Sequence, residues 1–438
     1  MFTALVSGQD TTHHVGFDLI MNILFVNISD IKGGAALGSY RLHERIQEIP
    51  GFHSRLLVGE AISGSEKVNE LPVTRVDKLL RPVSRFVGLN YIDSISSFNT
   101  ITDHPFYKQA DIVHLHCLHG GYFNYLALPK ITKKKPTVYK LSDMWSFTGH
   151  CSYSFDCQRW KSGCGQCPYP ETYPSIRRDS TNIEWRLKKW VYENSSLTIV
   201  SPSKWLKQTA AKGILNKFDI VHISNGIDTN VYKPIDKSIS RKAIGLSDQG
   251  LVLLFASQSL ANPRKGMDLL IDSLKSLPSR IKRNLTLVCF GNGGDWFRNQ
   301  IDLPIVDLGY VSGDRLKALA YSASDVFVCP TRADAFGLVL LESLACGTPI
   351  VSFDNSAVPE LVRHKITGLL AKPESSFDLA RQIIRLLEDS QMRQSMAINC
   401  RKIAVKEYSI ELQSKRYIDL FDDTIRRFNK SKLTISRV

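Results

Sequence analysis

Several features that would restrict the class of this 438-residue chain are missing from it. No stretch approaches the roughly 18 to 20 consecutive apolar residues of a membrane-spanning helix, which argues against an integral membrane protein. Residues 1–20 contain no Lys or Arg and no apolar core, so they do not resemble a secretory signal peptide. We expect residues 1–20 to be an extension outside the fold, and we expect a cytoplasmic protein.

The composition is that of an ordinary globular protein, with 43% apolar and 22% charged residues. The length favours two domains of roughly 200 residues each. Fifty-six Lys and Arg against 42 Asp and Glu give a net charge of +14. This charge favours an anionic partner, which could be a phosphate compound, a lipid surface or a nucleic acid.

Short β-rich runs alternate with amphipathic helical stretches, which is typical of parallel sheets covered by helices. Two openings are alike, since strands predicted at 23–28 and 251–256 are each followed by a polar loop and a helix. The sequence therefore predicts an α/β protein with two doubly wound domains. We place the N-terminal domain at 21–228, the C-terminal domain at 229–420 and a basic tail at 421–438.

The most informative segment begins at Asp334 and reads DAFGLVLLESLACGTPIV. It predicts a loop, a helix that starts at Phe336, Gly337 and Leu338, and a buried strand. The free N–H groups and positive dipole end of such a helix suit a phosphate. Glu342 follows about one turn later, where its carboxylate could accept hydrogen bonds from ribose hydroxyls. Taken alone, Glu342 could equally be a charged residue on an ordinary amphipathic helix.

Other motifs give this segment a family context: the sequence NGID at 225–228, Arg264-Lys265-Gly266, the pair Gly33-Gly34 and the run DLGYVSGDRLKALAYSASDVFVCP. Together they resemble family 4 glycosyltransferases over residues 21 to about 420. The resemblance implies the GT-B fold, in which two Rossmann-like domains face each other across a cleft. It also implies transfer of a sugar, with retention, from a nucleotide-diphosphate donor to a saccharide or lipid-linked acceptor in surface polysaccharide biosynthesis.

The resemblance assigns roles to individual residues. Asp334 and Glu342 match the ends of a paired acidic motif, with Asp334 facing the donor sugar and Glu342 the ribose. The implied diphosphate-binding and catalytic cations are Arg264 and Lys265. The resemblance also implies that Gly33 and Gly34 form a loop that closes over the reacting groups. It places Phe336, Gly337 and Leu338 at the helix start that binds the donor. It places His116 near the donor sugar, with His119 as the alternative. The resemblance implies no protein nucleophile, because the leaving phosphate itself assists the acceptor, and it implies no catalytic metal or cofactor.

Three positions depart from the family pattern. Asp334 stands where Glu is usual, Leu260 stands where many members have Arg, and Ser142 stands where many have His. A hydroxyl cannot replace imidazole as a base near neutral pH. These changes keep a second function open, a catalytically silent nucleotide-binding partner of the same fold. A non-hydrolysing nucleotide-sugar epimerase is a third alternative because it shares the fold, but the further acid and base groups that it needs are not recognisable in the sequence.

A cysteine-rich segment at 150–170 interrupts the first domain. Cys151, Cys157, Cys164 and Cys167 are spaced C-x5-C-x6-C-x2-C, with His150 alongside. In a reducing cytoplasm such thiols favour a structural zinc over disulfides, and four thiolates leave no open position for catalysis. Reduced thiols or a disulfide pair in an exposed loop remain the alternatives.

Basic residues with aromatic neighbours recur in the first half of the chain: Lys133–Lys135, then Arg186, Lys188 and Lys189 beside Trp185 and Trp190, then Lys204 and Lys207 beside Trp205. As one patch they would suit peripheral contact with the inner face of a membrane, where a lipid-linked acceptor would be found. As separate solvated faces they need no ligand. No nucleic-acid-binding module is recognisable, so we expect no nucleic-acid partner.

Overall fold

A computed structural model describes residues 20–294 and 300–435 of the chain. The extension expected at 1–20 lies outside the described residues except for Ile20, and the first strand begins at Met21. The last three residues of the basic tail also lie outside them.

The first domain is built on a sheet of seven parallel strands. They are β1 (Met21–Ser29), β2 (Phe52–Glu60), β3 (Val68–Glu70), β4 (Ile112–Leu115), β5 (Thr137–Lys140), β6 (Thr198–Ser201) and β7 (Ile220–His222). Their order is β3-β2-β1-β4-β5-β6-β7. Strands β4 and β5 are buried along their whole length, because helices cover both faces of the sheet.

The second domain repeats this design with six parallel strands. They are β8 (Leu251–Ser259), β9 (Leu285–Asn292), β10 (Ile305–Asp307), β11 (Val326–Cys329), β12 (Ile350–Phe353) and β13 (Gly368–Ala371). Their order is β10-β9-β8-β11-β12-β13. The predicted fold class, two doubly wound parallel sheets, is therefore confirmed.

Sixteen α-helices lie within the described residues. Seven belong to the first half: Gly34–Gln47, Arg75–Val87, Ile95–Thr100, Pro105–Gln109, Leu128–Lys134, Thr181–Glu193 and Lys204–Ala210. Nine follow: Lys237–Ala243, Met267–Lys275, Ser279–Lys282, Asp314–Ala323, Leu338–Ala345, Val358–Leu361, Ser376–Glu388, Ser390–Tyr408 and Ile410–Ile435. None of these helices combines the length and the apolar character needed to cross a bilayer.

Both sheets reverse their winding direction beside their first strand, between β1 and β4 and between β8 and β11. Ligands of doubly wound sheets bind outside the carboxyl ends of strands at such switch points. The loop with Gly33 follows β1, the turn with Arg264 and Lys265 follows β8, and the loop with Asp334 follows β11. The topology thus gathers three of the sequence motifs at two facing sheet edges.

The C-terminal end of the chain differs from the expected domain division. Residues 410–435 form one continuous helix, so no separate tail begins at 421. Tyr417 and Phe421 are buried in a cluster with Phe25 and Leu42 of the first domain. The helix therefore returns to the first sheet, because its apolar face is buried there.

The basic groups of the first half do not form one surface. Lys188 is 1% exposed, and its Nζ donates hydrogen bonds to the carbonyls of Trp145 and Thr148 at 2.8 and 3.0 Å. Trp185 is also buried, whereas Trp190 is exposed. The contiguous aromatic and basic patch considered from the sequence is thus interrupted at its centre.

Candidate active site

Asp334 lies in the loop between β11 and helix Leu338–Ala345. Gly337 is the N-cap of that helix, and no side chain caps it. Helix N-termini attract anions because their first N–H groups lack intrahelical partners. Phe336 and Leu338 flank Gly337, so the structure brings the predicted phosphate-binding helix start beside Asp334.

A tight turn holds Arg264 and Lys265 against this loop. The Asn262 side chain accepts a hydrogen bond from the Arg264 N–H at 3.0 Å. Gly266 ends the turn with a φ of 70°, and a Cβ there would lie 1.9 Å from the Pro330 carbonyl oxygen. Only glycine permits this approach, which sets the two cations beside the loop that carries Asp334.

Asp334 pairs with both cations. Lys265 Nζ lies 2.6 Å and Arg264 Nη1 3.5 Å from Asp334 Oδ2. Burial alone would raise the pKa of Asp334, but the charges of Lys265 and Arg264 outweigh it and hold this pKa below its ordinary value. Asp334 is therefore ionised at neutral pH and is the counter-ion of both cations.

The glycine pair of the first domain lies on the opposite side of the cleft and contacts the second domain. A Cβ on Gly33 would lie 3.3 Å from Gln258 Oε1, and a Cβ on Gly34 would lie 3.8 Å from Leu338 Cδ1. Helix Gly34–Gln47 thus starts against the first residue of helix Leu338–Ala345. The structure brings Gly34 to this helix start and Gly33 to Gln258, and the role of the pair in a closing loop stays a prediction.

Glu342 is buried on the same helix as Leu338 and has a partner from the first domain. Arg41 Nη2 lies 3.1 Å from Glu342 Oε1 and 2.9 Å from Asp314 Oδ1. Tyr321 donates its hydroxyl to Glu342 Oε2 at 3.2 Å, and Tyr232 lies 3.2 Å from Oε1. Arg41 therefore joins the two domains at the carboxylate that the resemblance assigns to the ribose.

Opposite charges stabilise the contact between Arg41 and the carboxylates of the second domain. Burial raises the pKa of Asp314, but Arg41 and Lys317 outweigh it, so the pKa is lowered. Arg41 Nη1 has no hydrogen-bond partner among the described residues. The Nη1 of the Arg41 guanidinium is therefore a buried donor that is free to form a further hydrogen bond.

The two candidate histidines occupy different environments. His116 is fully buried, stacks on Phe25 and lies 3.3 Å from a nitrogen of His114, and burial lowers its pKa well below the ordinary value. The structure does not bring His116 to Asp334, so its role near the sugar stays a prediction. His119 Nε2 instead lies 2.8 Å from Asp143 Oδ2.

Burial opposes the charged form of His119, but Cys117 and Asp143 outweigh it and raise its pKa well above the ordinary value. Asp143 correspondingly has a lowered pKa despite burial. Its charge also acts on Arg264 of the second domain. His119 and Asp143 therefore form an ion pair on the first-domain side of the cleft.

Tyr153 connects the cysteine-rich segment to the second domain, at the loop of Asp334 and the turn of Arg264. Its hydroxyl accepts a hydrogen bond from the Ala335 N–H at 3.2 Å. The Arg264 guanidinium carbon lies 4.6 Å from the centre of its ring, in cation–π geometry. Leu260 is fully buried, so the position where many family members have Arg offers no contact to the cleft.

The four cysteines of the segment are free and line one small cavity together with His150. His150 Nδ1 lies 2.8 Å from the Pro174 carbonyl, which directs Nε2 to Cys167 Sγ at 3.1 Å. Burial raises the pKa of Cys151 to about 12 and that of Cys164 to about 11. Across 20–294 and 300–435, no three His, Cys, Asp or Glu side chains are arranged to hold a metal ion.

Sequence reasoning missed three participants: Arg41, Tyr153 and Asp143. The sequence gives only a weak indication that Arg41 belongs to the site, namely its place two turns into the helix that follows Gly33. Tyr153 lies within the cysteine-rich segment, whose spacing points to a metal and gives no sign of contact with the second domain. Asp143 follows Ser142 directly, and its imidazole partner comes from the end of a different strand.

Comparison with known families covers both domains. Residues 33–231 match the family described as Glycosyltransferase Family 4, and residues 236–403 match Glycosyl transferases group 1. The first match includes β2 to β7, and the second includes β8 to β13. Together the two matches span most of the chain.

Similar proteins are glycosyltransferases. The putative colanic acid biosynthesis glycosyl transferase WcaC of Escherichia coli is 24% identical over 360 residues, 78% of this chain and 85% of WcaC. An uncharacterized glycosyltransferase of Methanocaldococcus jannaschii is 28% identical over 236 residues, 52% of this chain and 60% of that protein. A D-inositol 3-phosphate glycosyltransferase of Saccharomonospora viridis is 27% identical over 49% of this chain, which is 52% of that protein. The chain thus matches little more than half the length of the last two.

Solved structures share the fold. Sucrose-phosphate synthase of Thermosynechococcus elongatus has a TM-score of 0.70 at 16% identity, covering 93% of this chain and 100% of that structure. HepE of Anabaena has a TM-score of 0.66 at 19% identity, covering 92% of this chain and 100% of that structure. The two family matches in chain order and the facing Rossmann-like domains lead to one assignment: the chain belongs to the family 4 glycosyltransferases of the GT-B fold.

Proposed function

We propose that the enzyme takes a hexose-type sugar from a nucleotide-diphosphate donor and transfers it, with retention, to a saccharide or lipid-linked saccharide. We further propose that the product contributes to a surface polysaccharide. The observation that carries the proposal is the pairing of Lys265 and Arg264 with Asp334 beside the uncapped start of helix Leu338–Ala345.

The diphosphate would bind where these charges meet. Two cations against one carboxylate leave a net positive charge, and the helix dipole adds to it. An incoming diphosphate can share Lys265 and Arg264 with Asp334. The same cations would stabilise the negative charge that builds on the departing nucleotide, which lowers the barrier to transfer.

The nucleoside and sugar would extend to either side of the diphosphate. Glu342 is our candidate for the ribose hydroxyls, because its carboxylate lies on the same helix one turn beyond Leu338. Asp334 is our candidate for the donor sugar. Both assignments rest on positions relative to the phosphate-binding helix start.

We assign Asp334 to positioning, since its two cationic partners make it a weak nucleophile. The bond between the anomeric carbon and the diphosphate would break as the acceptor oxygen bonds to the same face. The acceptor proton would pass to the departing diphosphate. The protein would then contribute geometry and electrostatic stabilisation.

The acceptor would approach from the first domain. Tyr153 and the ion pair of His119 and Asp143 lie on this side, and Asp143 acts electrostatically on Arg264. The name of WcaC supports polysaccharide biosynthesis. HepE structures in complex with UDP and with UDP-glucose support a nucleotide-sugar donor.

The test is incubation of the purified protein with radiolabelled UDP-, GDP- and ADP-sugars. We expect one donor to release its nucleotide diphosphate, and the anomeric configuration of the product, read by NMR, to match that of the donor. Lys265→Ala should reduce release at least about a hundredfold, because one oxyanion-stabilising cation is lost. Lys275→Ala, an exposed lysine of the same domain, should retain activity. Nucleotide binding without turnover would contradict the proposal, as would an altered sugar without transfer.

We also propose that the cysteine-rich segment holds a structural zinc. Cys151, Cys157, Cys164 and Cys167 line one cavity, although their sulfur atoms are not arranged as a ligand set. Zinc binding would therefore require the sulfurs to move together, and rotation about the Cα–Cβ bonds is the smallest change that moves them. Bound zinc would stabilise the segment that presents Tyr153, and it would take no part in the chemistry.

A further inference from the structure

Helix Arg75–Val87 turns its apolar side to solvent. The exposed fractions are 54% for Val76, 75% for Leu79, 57% for Val83 and 67% for Phe86. Spacings of three and four residues place these side chains on one face of the helix. A helix at the surface of a globular protein normally buries such a face.

The polar side of this helix is buried instead. Asp77 accepts hydrogen bonds from the backbone N–H groups of Thr74 and Ser96 at 2.8 and 3.0 Å. Arg81 donates to the Gly121 carbonyl at 2.7 Å. These bonds fix the rotation of the helix about its axis, so its apolar face is held outward.

Positive charge borders the apolar face. Arg75, Lys78 and Arg85 are exposed, whereas Asp77, the acidic residue of the helix, is buried. Exposed Arg178 lies beside the end of the helix, since a Cβ on Gly88 would meet its carbonyl. An apolar strip with a basic border is complementary to a bilayer that carries anionic headgroups.

We propose that helix Arg75–Val87 docks the first domain on an anionic lipid bilayer. Val76, Leu79, Val83 and Phe86 would enter the headgroup region, and the basic residues would pair with lipid phosphates. Docking rests on the surface alone and does not require the proposed transfer reaction. It gives that reaction a lipid-linked acceptor.

The position of the helix suits such an acceptor. Arg81 contacts Gly121, two residues after His119 of the acceptor side. Tyr91, which follows the helix, lies 6.5 Å from His119 between ring centres. A lipid-linked saccharide anchored under the helix would therefore present its sugar near the cleft.

The test is cosedimentation of the full chain with vesicles of phosphatidylcholine, with and without phosphatidylglycerol. We expect binding only to the anionic vesicles, and weaker binding at high salt. The double variant Leu79→Ser/Phe86→Ser should lose at least about tenfold in vesicle affinity, because it removes apolar surface from the contact. Phe377→Ser, which changes a side chain 76% exposed in the second domain, is the matched control and should bind like the parent.

Three results would overturn docking: no binding to anionic vesicles, equal binding by the double variant and the parent, or a dimer that the double variant converts to a monomer. The last result would mean that a second copy covers the face. Because Leu79 and Phe86 lie outside the cleft, donor hydrolysis by the double variant should equal that of the parent. Loss of docking and loss of the proposed transferase activity are thereby distinguishable.

Discussion

Replacing Arg41 with methionine removes the charge that joins the two domains and keeps most of the side chain's length. The side chains of Arg41 and Glu342 are 9% and 4% exposed, and Asp314 is 31% exposed. Removing one partner of a buried ion pair costs about 3 to 5 kcal/mol, because the other charge stays buried. We expect Arg41→Met to lower the free energy of unfolding by about 3 kcal/mol, with Asp314 adding little because water screens it.

A double-mutant cycle isolates the pair. Urea unfolding of the parent, Arg41→Met, Glu342→Gln and the double variant, followed by tryptophan fluorescence, should give a coupling free energy of about 1 to 3 kcal/mol. The coupling should persist at high salt, since the charges are buried. Small-angle scattering should show a larger radius of gyration for Arg41→Met, because one of the contacts that hold the domains together is lost.

The matched control is Arg427→Met, which breaks an ion pair with Asp423 on the last helix. Arg427 is 70% exposed, so this change should alter the unfolding free energy by less than about 0.5 kcal/mol. A coupling below about 0.5 kcal/mol between Arg41 and Glu342, together with an unchanged radius of gyration, would refute the reasoning.

Three further predictions concern other parts of the chain. Lys265→Ala and Glu342→Ala should each weaken UDP binding at least about tenfold in calorimetry. The first variant loses a cation that would bind the diphosphate, and the second loses a carboxylate that would accept hydrogen bonds from the ribose. Burial raises the pKa of Glu184 to about 7, so the folded protein holds a proton that the unfolded chain releases. Stability should therefore fall from about pH 5 to 7, and Glu184→Gln should flatten this slope in thermal unfolding. Purified protein should contain about one zinc, lost in Cys164→Ser/Cys167→Ser.

Each of these predictions has a result that would contradict it. Lys275→Ala should keep the parent's UDP affinity, and unchanged affinity in both site variants would remove the site assignment. An unchanged pH slope in Glu184→Gln would assign the slope to other groups. Metal analysis that finds no zinc in freshly purified protein would end the zinc proposal.

Arg264, Lys265 and Asp334 could be named from the sequence because each lies in a short motif of the family that the chain resembles. Gly266 and the turn before it follow β8, and Asp334 follows β11, so adjacent parallel strands place both motifs at one sheet edge. The contact between Lys265 and Asp334 then follows from strand order. The fold class could be predicted because strands and helices alternate along the chain.

Other features depend on contacts that sequence patterns do not encode. Arg41 lies 301 residues before Glu342, so nothing local indicates that the two meet. Lys188 looks like a surface cation, yet its ammonium group is buried over the Trp145 ring at 3.6 Å. Helix Arg75–Val87 has an ordinary amphipathic pattern, and only the tertiary structure shows that its apolar face points outward.

The path of the chain between the domains determines how they can move. The chain crosses once near Ile227 and returns near Ser409, and these two segments form a β-bridge. The Ile227 N–H donates to the Tyr408 carbonyl and the Ile410 N–H donates to the Ile227 carbonyl, both at 2.9 Å. A Cβ on Gly226 would lie 2.8 Å from Ile410 Cα. Because both crossings are tied together, backbone rotation at this one place turns the whole second domain. Arg41 pairs with Glu342 across the two domains at a place separate from these crossings, so this bond opposes separation of the domains.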